Sequence, residues 1–119
     1  MLIKKLAECE EFIAGDGCIL REYLHPGKEN LALRYSLAHA TVSSGQTTQA
    51  HILKTCEVYY ILEGRGIMHV NEASRDVSPG DIIYIPPQAT QYIENPTDTA
   101  LKFLCIVDPA WRSEDEKIL

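Results

Sequence analysis

The sequence has no long apolar run, few basic residues and no leader-like segment. No stretch approaches the roughly 20 consecutive apolar residues that span a bilayer, which argues against a membrane protein. Eleven Lys and Arg residues face 17 Asp and Glu residues, so the net charge is -6, and a negative surface argues against nucleic-acid binding. The N-terminus lacks the apolar core of a signal peptide, and we therefore expect a cytoplasmic protein.

Closely spaced cysteines and nucleophile motifs are also missing. The four cysteines, Cys9, Cys18, Cys56 and Cys105, form no Cys-x-x-Cys pair, which excludes a zinc ribbon or a thioredoxin-type motif. There is no Gly-x-Ser-x-Gly, no phosphate-binding glycine loop and no His-Glu-x-x-His. The 119 residues, 45% of them hydrophobic, fit a single domain over residues 1–119.

Turn signals separate short apolar runs at regular intervals, which is typical of an all-β barrel or sandwich. We expect the core barrel to cover residues 18–108 or so. Asp108 and Pro109 are suited to the start of a helix, so the tail over residues 109–119 is predicted to be a short C-terminal helix, packed onto the barrel by Trp111. A weak helical pattern also covers residues 4–12.

One segment carries a specific spacing of chemically useful residues. Gly45, His51, Leu53, Glu57 and Gly64 follow one another at intervals of six, two, four and seven. Residues two apart on a strand share a face, so His51 and Leu53 point the same way. A tight turn after Leu53 brings Glu57 on the next strand to face His51. An imidazole and a carboxylate together make half of a metal site.

This segment resembles the first motif of the cupin family, G-x5-H-x-H-x3,4-E-x6-G, over residues 45–64. The second motif, G-x5-P-x-G-x2-H-x3-N, is similar to residues 80–95, where Gly80, Pro86 and Asn95 occupy its positions. The resemblance implies a small single-domain cupin of the cupin 2 conserved-barrel type. The implied fold is an all-β jelly-roll barrel of two antiparallel sheets.

The sequence departs from the family pattern at its metal ligands. The family's usual centre has three histidines and one glutamate, and His51 and Glu57 take two of these places. Leu53 stands at the second histidine position and Gln91 at the third, while Gln88 replaces a glycine of the second motif. The resemblance therefore implies a divalent metal ion, Mn, Fe, Ni or Zn, held by His51, Glu57 and the side-chain oxygen of Gln91.

The alternative is a vestigial site that holds no metal, in which Glu57 accepts hydrogen bonds from His51, Gln91 or Tyr59. Alternation along the strand turns Tyr59 inward with Glu57, and these two residues are the candidate catalytic groups. Tyr59 is equally suited to a core position in which its hydroxyl finds one partner. Further candidate pocket residues, the last two inferred from the resemblance, are Gln49, Leu53, Ile61, Phe103 and Cys105.

The remaining histidines are given other roles. His25 lies in a Pro-Gly turn and is predicted to be solvated. Comparison with the family turns Ala38 and Ala40 inward on their strand, so His39 between them is expected to face away from the site. His69 is expected at the surface or at an interface.

These residues support three hypotheses. The first is a small metal-binding cupin that acts on a small polar molecule, with dioxygenase- or isomerase-type chemistry implied by the resemblance. The second is a non-enzymatic, metal-free barrel that binds a small molecule. The third, a metal-free epimerase-like cupin, needs a paired His and Asp or a Tyr acid, and the sequence offers His51 and Tyr59 with no clear carboxylate beyond Glu57. Small cupins commonly pair through their sheets, which implies a homodimer.

Overall fold

The computed structural model describes residues 1–119 and consists mainly of β-strands in two antiparallel sheets. The six-stranded sheet contains, in spatial order, β1 (Glu11–Ile13), β2 (Ile19–Leu24), β3 (Ser36–Val42), β10 (Leu101–Asp108), β5 (Cys56–Glu63) and β8 (Ile82–Ile85). The five-stranded sheet contains, in spatial order, β11 (Glu116–Ile118), β4 (His51–Leu53), β9 (Thr90–Glu94), β6 (Gly66–Val70) and β7 (Ala73–Val77). The predicted all-β jelly-roll architecture is confirmed.

The long strand β10 organises the six-stranded sheet because it pairs with β3 on one side and β5 on the other. Buried and half-buried residues alternate along its whole length, as expected when side chains point to opposite faces of a sheet. Cys105 lies opposite Ala38 of β3 and Tyr59 of β5. The inward residues of β10 are Leu101, Phe103, Cys105 and Val107.

The space between the sheets is partly filled by a packed apolar core and partly open as a cavity. Ile61, Ile85, Ile93 and Leu101 in the core are each at most 1% exposed. Burying one such side chain stabilises the fold by about 1.5–3 kcal/mol. Tyr59, Phe103 and Cys105 belong to the core and also line the cavity, so the core forms the floor of the cavity.

The loop before β10 is fixed by one amide side chain and one glycine. The Asn95 Nδ2 group donates hydrogen bonds to the carbonyl oxygens of Val42, at 2.9 Å, and Thr99, at 2.8 Å. Gly64 has a φ of +81°, and a Cβ atom there would collide with the carbonyl oxygen of Ala100. The hairpin that follows β5 therefore requires glycine at this position.

The predicted C-terminal helix is wrong. The tail forms a single 3-10 turn at Ser113–Asp115 and then the strand β11, which pairs with β4. The Arg112 guanidinium donates two hydrogen bonds, of 2.8 and 2.9 Å, to the Asp115 carboxylate, which closes the turn. The backbone groups at the free edge of β4 then offer the tail more hydrogen bonds than an isolated helical turn would keep.

The weak helical pattern near the N-terminus also does not form an α-helix. Its residues form a 3-10 turn at Leu6–Glu8 followed by β1, which pairs with β2. The carbonyl oxygens of Leu6 and Cys9 accept hydrogen bonds from the Arg21 guanidinium on β2. No helix of the structure is long and apolar enough to cross a membrane.

Candidate functional site

The barrel contains a cavity of about 110 Å³ between the two sheets. Inward-facing side chains of four strands form its inner wall, and the segment before β2 and the C-terminal tail form its mouth. The inner wall includes Ala38, His51, Leu53, Glu57, Tyr59, Phe103, Cys105 and Val107. The mouth includes Phe12, Gly15, Asp16, Cys18, Trp111 and Glu116.

His51 is a buried member of the inner wall, at 3% exposure. Its Nδ1 atom lies 2.9 Å from the carbonyl oxygen of Gln49 and 3.9 Å from Oδ2 of Asp16. A backbone carbonyl only accepts hydrogen bonds, so Nδ1 carries the proton in this arrangement. In the neutral tautomer with the proton on Nδ1, Nε2 is the acceptor that His51 offers to the cavity.

Glu57 is the buried carboxylate of the inner wall. Burial, followed by the charges of Asp16 and Glu116, raises its pKa from 4.5 to about 8. Hydrogen bonding with Gln91 acts in the lowering direction, and no cation contributes. Glu57 can therefore gain or lose a proton near neutral pH, which is the range where a proton-transfer group is effective.

The Tyr59 hydroxyl already has a hydrogen-bond partner within the protein. It donates a hydrogen bond to Oε1 of Gln91 over 3.2 Å, and its ring lies 4.4 Å from that of Phe103, tilted by 34°. Burial raises the pKa of Tyr59 well above 10.0, so the phenol is protonated at all ordinary pH values. Gln91 is 1% exposed and is not part of the cavity wall.

The predicted metal ligands do not form a metal-binding arrangement. The Oε1 atom of Gln91 accepts a hydrogen bond from the Tyr59 hydroxyl and, as a neutral amide oxygen, is only a weak ligand, and Leu53, which is 2% exposed, offers the site only a hydrocarbon side chain. His51 and Glu57 remain, and no group of three His, Cys, Asp or Glu side chains in the chain is placed to hold a metal ion. A divalent centre needs more donors than these two, so the residues present do not fit the metal that the family resemblance implies.

The structure divides the predicted pocket residues into two groups. Leu53, Phe103 and Cys105 line the cavity. Ile61 lies at 0% exposure in the packed core. Gln49 is exposed, and its side-chain amide points to the carbonyl oxygen of Leu119, 3.4 Å away.

Three residues at the mouth were not assigned to the site by the sequence analysis. Asp16 is 9% exposed and accepts a hydrogen bond from the backbone N–H of Cys18, although the Gly-Asp-Gly sequence around it indicates only a turn. Glu116 was not recognised as a site residue because the tail around it has a helical composition. Its carboxylate lies against the backbone of Gly15, where a Cβ atom would be 2.7 Å from Oε1.

Trp111 is the third of these residues, and hydrogen bonds hold it on three sides. Its backbone N–H donates to Oγ of Ser36 at 3.0 Å, and its indole N–H donates to Glu116 at 3.0 Å. The Nε2 atom of His25 lies 2.7 Å from its carbonyl oxygen. The sequence analysis assigned Trp111 to packing alone, whereas its side chain also lines the cavity.

The other histidines lie outside the cavity wall. The prediction that His25 is solvated is wrong, because it is 7% exposed and its Nδ1 accepts the N–H of Gly27. Together with the contact of its Nε2 atom to Trp111, this bond holds the His25 ring in place beside the turn. His39 faces away from the site as expected, in a groove with Leu37 and Leu104. His69 is half-buried, and its ring stacks on Tyr92 at 4.1 Å.

The thiols at the cavity are protonated packing groups. Burial, which is the largest effect, together with the nearby carboxylates raises the pKa of Cys18 and of Cys105 far above 9.0. A thiolate is the nucleophilic and metal-binding form of cysteine. Neither thiol therefore supplies a nucleophile to the site.

Comparison with known proteins agrees with this architecture. Residues 38–107 match the family described as Cupin domain. An uncharacterized protein of Methanocaldococcus jannaschii is 44% identical over 109 residues, which are 91% of this chain and 86% of that protein. An oxalate-binding protein of Thermotoga maritima is 35% identical over 51 residues, only 43% of this chain and 42% of that protein. The crystal structure of a cupin 2 conserved barrel domain protein from Salinispora arenicola superimposes with a TM-score of 0.78, at 19% identity, over 96% of this chain and 91% of that one.

Proposed function

The chain belongs to the Cupin domain family, and from that premise we propose that its barrel binds one small molecule in the cavity without a metal ion. The main observation that supports this proposal is the cavity of about 110 Å³. Leu53, Phe103 and Val107 make much of its inner wall apolar, while His51 and Glu57 supply polar atoms. An apolar cavity with a few polar groups is the usual form of a small-molecule site.

The volume limits the ligand to a compact molecule. An engineered apolar cavity of roughly 150 Å³ binds benzene, and this cavity is smaller, so one six-membered ring is about the largest ligand body that it accommodates. Trp111 lines the mouth in a fixed position. Ligand entry therefore changes the surroundings of the only tryptophan in the chain.

The competing hypothesis is a metal-dependent cupin. In that hypothesis His51, Glu57 and Gln91 hold Mn, Fe, Ni or Zn, and dioxygenase- or isomerase-type chemistry acts on a small polar molecule. It requires the second lone pair of Gln91 Oε1 to turn to the metal while the first keeps the Tyr59 hydrogen bond, and it requires a further donor to replace Leu53. The metal-free proposal requires neither change.

A second candidate function is acid–base catalysis on the bound molecule. The distance of 3.9 Å between His51 Nδ1 and Asp16 Oδ2 supports it, because a carboxylate beside Nδ1 stabilises the imidazolium that forms when Nε2 accepts a proton. Asp16 is the histidine partner that a metal-free epimerase-like cupin needs. Glu57, with a pKa of about 8, is a second group able to exchange a proton there.

The binding proposal is tested with cyclohexanol as the probe and Trp111 fluorescence as the signal. We expect a saturable change that persists after dialysis against a chelator. The Ala38→Phe variant fills the cavity and should lose this change, whereas Thr41→Phe, on the opposite face of the same strand, should keep it. Binding that disappears with chelation and returns with Mn would establish the metal-dependent hypothesis instead.

The catalytic candidate is tested with cyclohexanone in D₂O. Abstraction of an α-proton by His51 replaces it with deuterium, which NMR detects. We expect exchange above the solvent background in the wild type and none above it in His51→Gln, with cyclohexanol binding retained in both. Exchange at the background rate in the wild type would leave the barrel a binding protein.

A further inference from the structure

The charges around the cavity are strongly unequal. Four carboxylates line it, those of Asp16, Glu22, Glu57 and Glu116, against the single cation of Lys28. Lys28 is already bonded to Glu22 at the rim, with Nζ 2.8 Å from Oε1. The deeper carboxylates thus have no lysine or arginine beside them.

When Glu57 is ionised, the polar atoms that the inner wall turns to the cavity are acceptors, and the hydrogen bond with Gln91 is the one donor that reaches Glu57. Glu57 is 7% exposed, and no cation faces it. His51 is 3% exposed, and its Nε2 makes no hydrogen bond to the protein, since its one bonded nitrogen is Nδ1. The hydroxyl of Tyr59 is directed to Gln91 and supplies no proton to the cavity. A ligand that satisfies these atoms must bring N–H or O–H donors.

Aromatic rings surround the same space. Tyr59 and Phe103 form a contacting pair at the floor, while Phe12 and Trp111 stand at the mouth. The face of an aromatic ring attracts a cation, and tryptophan does so most strongly. Trp111 is held by bonds to its N–H, its carbonyl oxygen and its indole, so little side-chain entropy is lost when a ligand packs against it.

We propose that the cavity selects a small organic cation, with a protonated amine directed to His51 and Glu57 and an apolar body packed among the aromatic rings. The inference rests on the proposed function, because it assigns a ligand class to the same cavity. An ammonium group supplies both the donors and the positive charge that the wall lacks. Anionic ligands face Asp16, Glu116 and, once it is ionised, Glu57, none of which has a lysine or arginine beside it, and the site therefore rejects them.

The test compares three probes of one shape and different charge: cyclohexylammonium, cyclohexanol and cyclohexanecarboxylate. Calorimetric titration is carried out at about pH 9, where Glu57 is charged and the amine remains protonated. We expect the ammonium probe to bind at least about tenfold more tightly than the alcohol. The carboxylate probe should bind more weakly than the alcohol.

Two variants test whether Glu57 is the source of the preference for the ammonium probe. Glu57→Gln keeps the shape of the side chain and removes its charge, so the preference for the cation over the alcohol should largely disappear. Glu72→Gln removes an exposed charge in the turn between β6 and β7 and should leave the preference unchanged. A selectivity that survives Glu57→Gln would overturn the assigned role of this carboxylate.

The outcomes separate this inference from the proposed function. Cyclohexanol binding without a preference for the ammonium probe would overturn the cation selectivity and leave the binding barrel intact. Failure of all three probes to bind would overturn both. Tighter binding of cyclohexanecarboxylate than of the alcohol would show an anion site and contradict the inference directly.

Discussion

The Tyr59 hydroxyl donates its proton to Oε1 of Gln91, 3.2 Å away, in the interior of the barrel. Gln91 stands where the family pattern has a metal-binding histidine, and hydrogen bonding with Gln91 also lowers the pKa of Glu57. Gln91 thus links two neighbouring polar groups, Tyr59 and Glu57, to each other. This network occupies donors and acceptors that a metal centre would otherwise need.

The Tyr59–Gln91 bond gives the first prediction. Tyr59→Phe leaves the 1% exposed Gln91 with an unpaired acceptor, which should lower the free energy of unfolding by about 1–3 kcal/mol. Adding Gln91→Leu removes the unpaired amide and should recover part of that loss. Urea denaturation of the two single variants and the double variant measures the coupling, and strictly additive losses would show that the bond contributes nothing.

The pH dependence of stability gives the second prediction. Folding raises the pKa of Glu57 from 4.5 to about 8, so the folded state binds this proton more tightly than the unfolded state. Its contribution to stability is fully present below pH 4.5 and is lost as the pH rises through 8. The full difference is on the order of 5 kcal/mol.

Replacing Glu57 by Gln should remove most of this dependence. We expect the wild type to lose more stability than Glu57→Gln between about pH 5 and pH 8, as measured by thermal unfolding at each pH. Glu72→Gln, in an exposed turn, serves as the control and should follow the wild type. Parallel curves for the wild type and Glu57→Gln would show that Glu57 stays ionised in the folded protein.

Most of the strands could be predicted from the sequence because their signals are local. Alternating apolar residues, together with turns such as the one at Gly64, define β5 and β6 without knowledge of their partners. The C-terminal tail could not be predicted in this way. Its helical composition is real, but the unpaired edge of β4 lies far away in sequence and decides the conformation.

The residues of the cavity wall also differ in whether a local sequence signal predicts them. His51 and Glu57 could be placed because they lie six residues apart on consecutive strands, β4 and β5, which belong to the two facing sheets and turn both side chains to the cavity. Asp16 and Glu116 come from opposite ends of the chain, and only the closed barrel puts them near Glu57. A turn sequence and an acidic tail carry no local signal that distinguishes them from solvated surface.

Asn95 provides a third prediction, for the loop before β10. Its side chain donates to Val42 and Thr99 and accepts from the backbone N–H of Thr97. Asn95→Ala removes these bonds at a position that is 1% exposed, and we expect a loss of about 3 kcal/mol in chemical denaturation. Asn30→Ala, at an exposed position, should change stability by less than about 0.5 kcal/mol. Equal effects of the two substitutions would contradict the assigned role of Asn95.

The lost ligand positions supply a fourth prediction. Leu53 lies on the inner wall beside His51 on β4, and Gln91 pairs directly with His51 across the sheet. The double variant Leu53→His and Gln91→His should therefore bind a divalent metal far more tightly than the wild type, because four nitrogen and oxygen donors then converge. Metal content of the purified proteins, measured by mass spectrometry, provides the comparison. No gain in the double variant would mean that the two positions do not face Glu57.

A fifth prediction is that the chain forms a homodimer through the outer face of its six-stranded sheet. Tyr60, Ile82 and Tyr84 are 41%, 68% and 61% exposed on the adjacent strands β5 and β8. Clustered exposed apolar side chains are typical of interaction surfaces, and β8 is the edge strand, whose free backbone groups can also pair. We therefore expect a second copy of the chain to cover both features at once.

Sedimentation velocity measurements test this assignment against a matched control. The double substitution Ile82→Lys and Tyr84→Glu should convert a two-chain species into single chains, because both charges would be buried on association. Ile13→Lys changes an equally exposed residue, at 67%, on β1 at the opposite edge of the same sheet, and it should leave association unchanged. Dissociation by Ile13→Lys alone would place the interface on the β1 edge, and a wild type of 13.4 kDa at micromolar concentration would exclude the dimer.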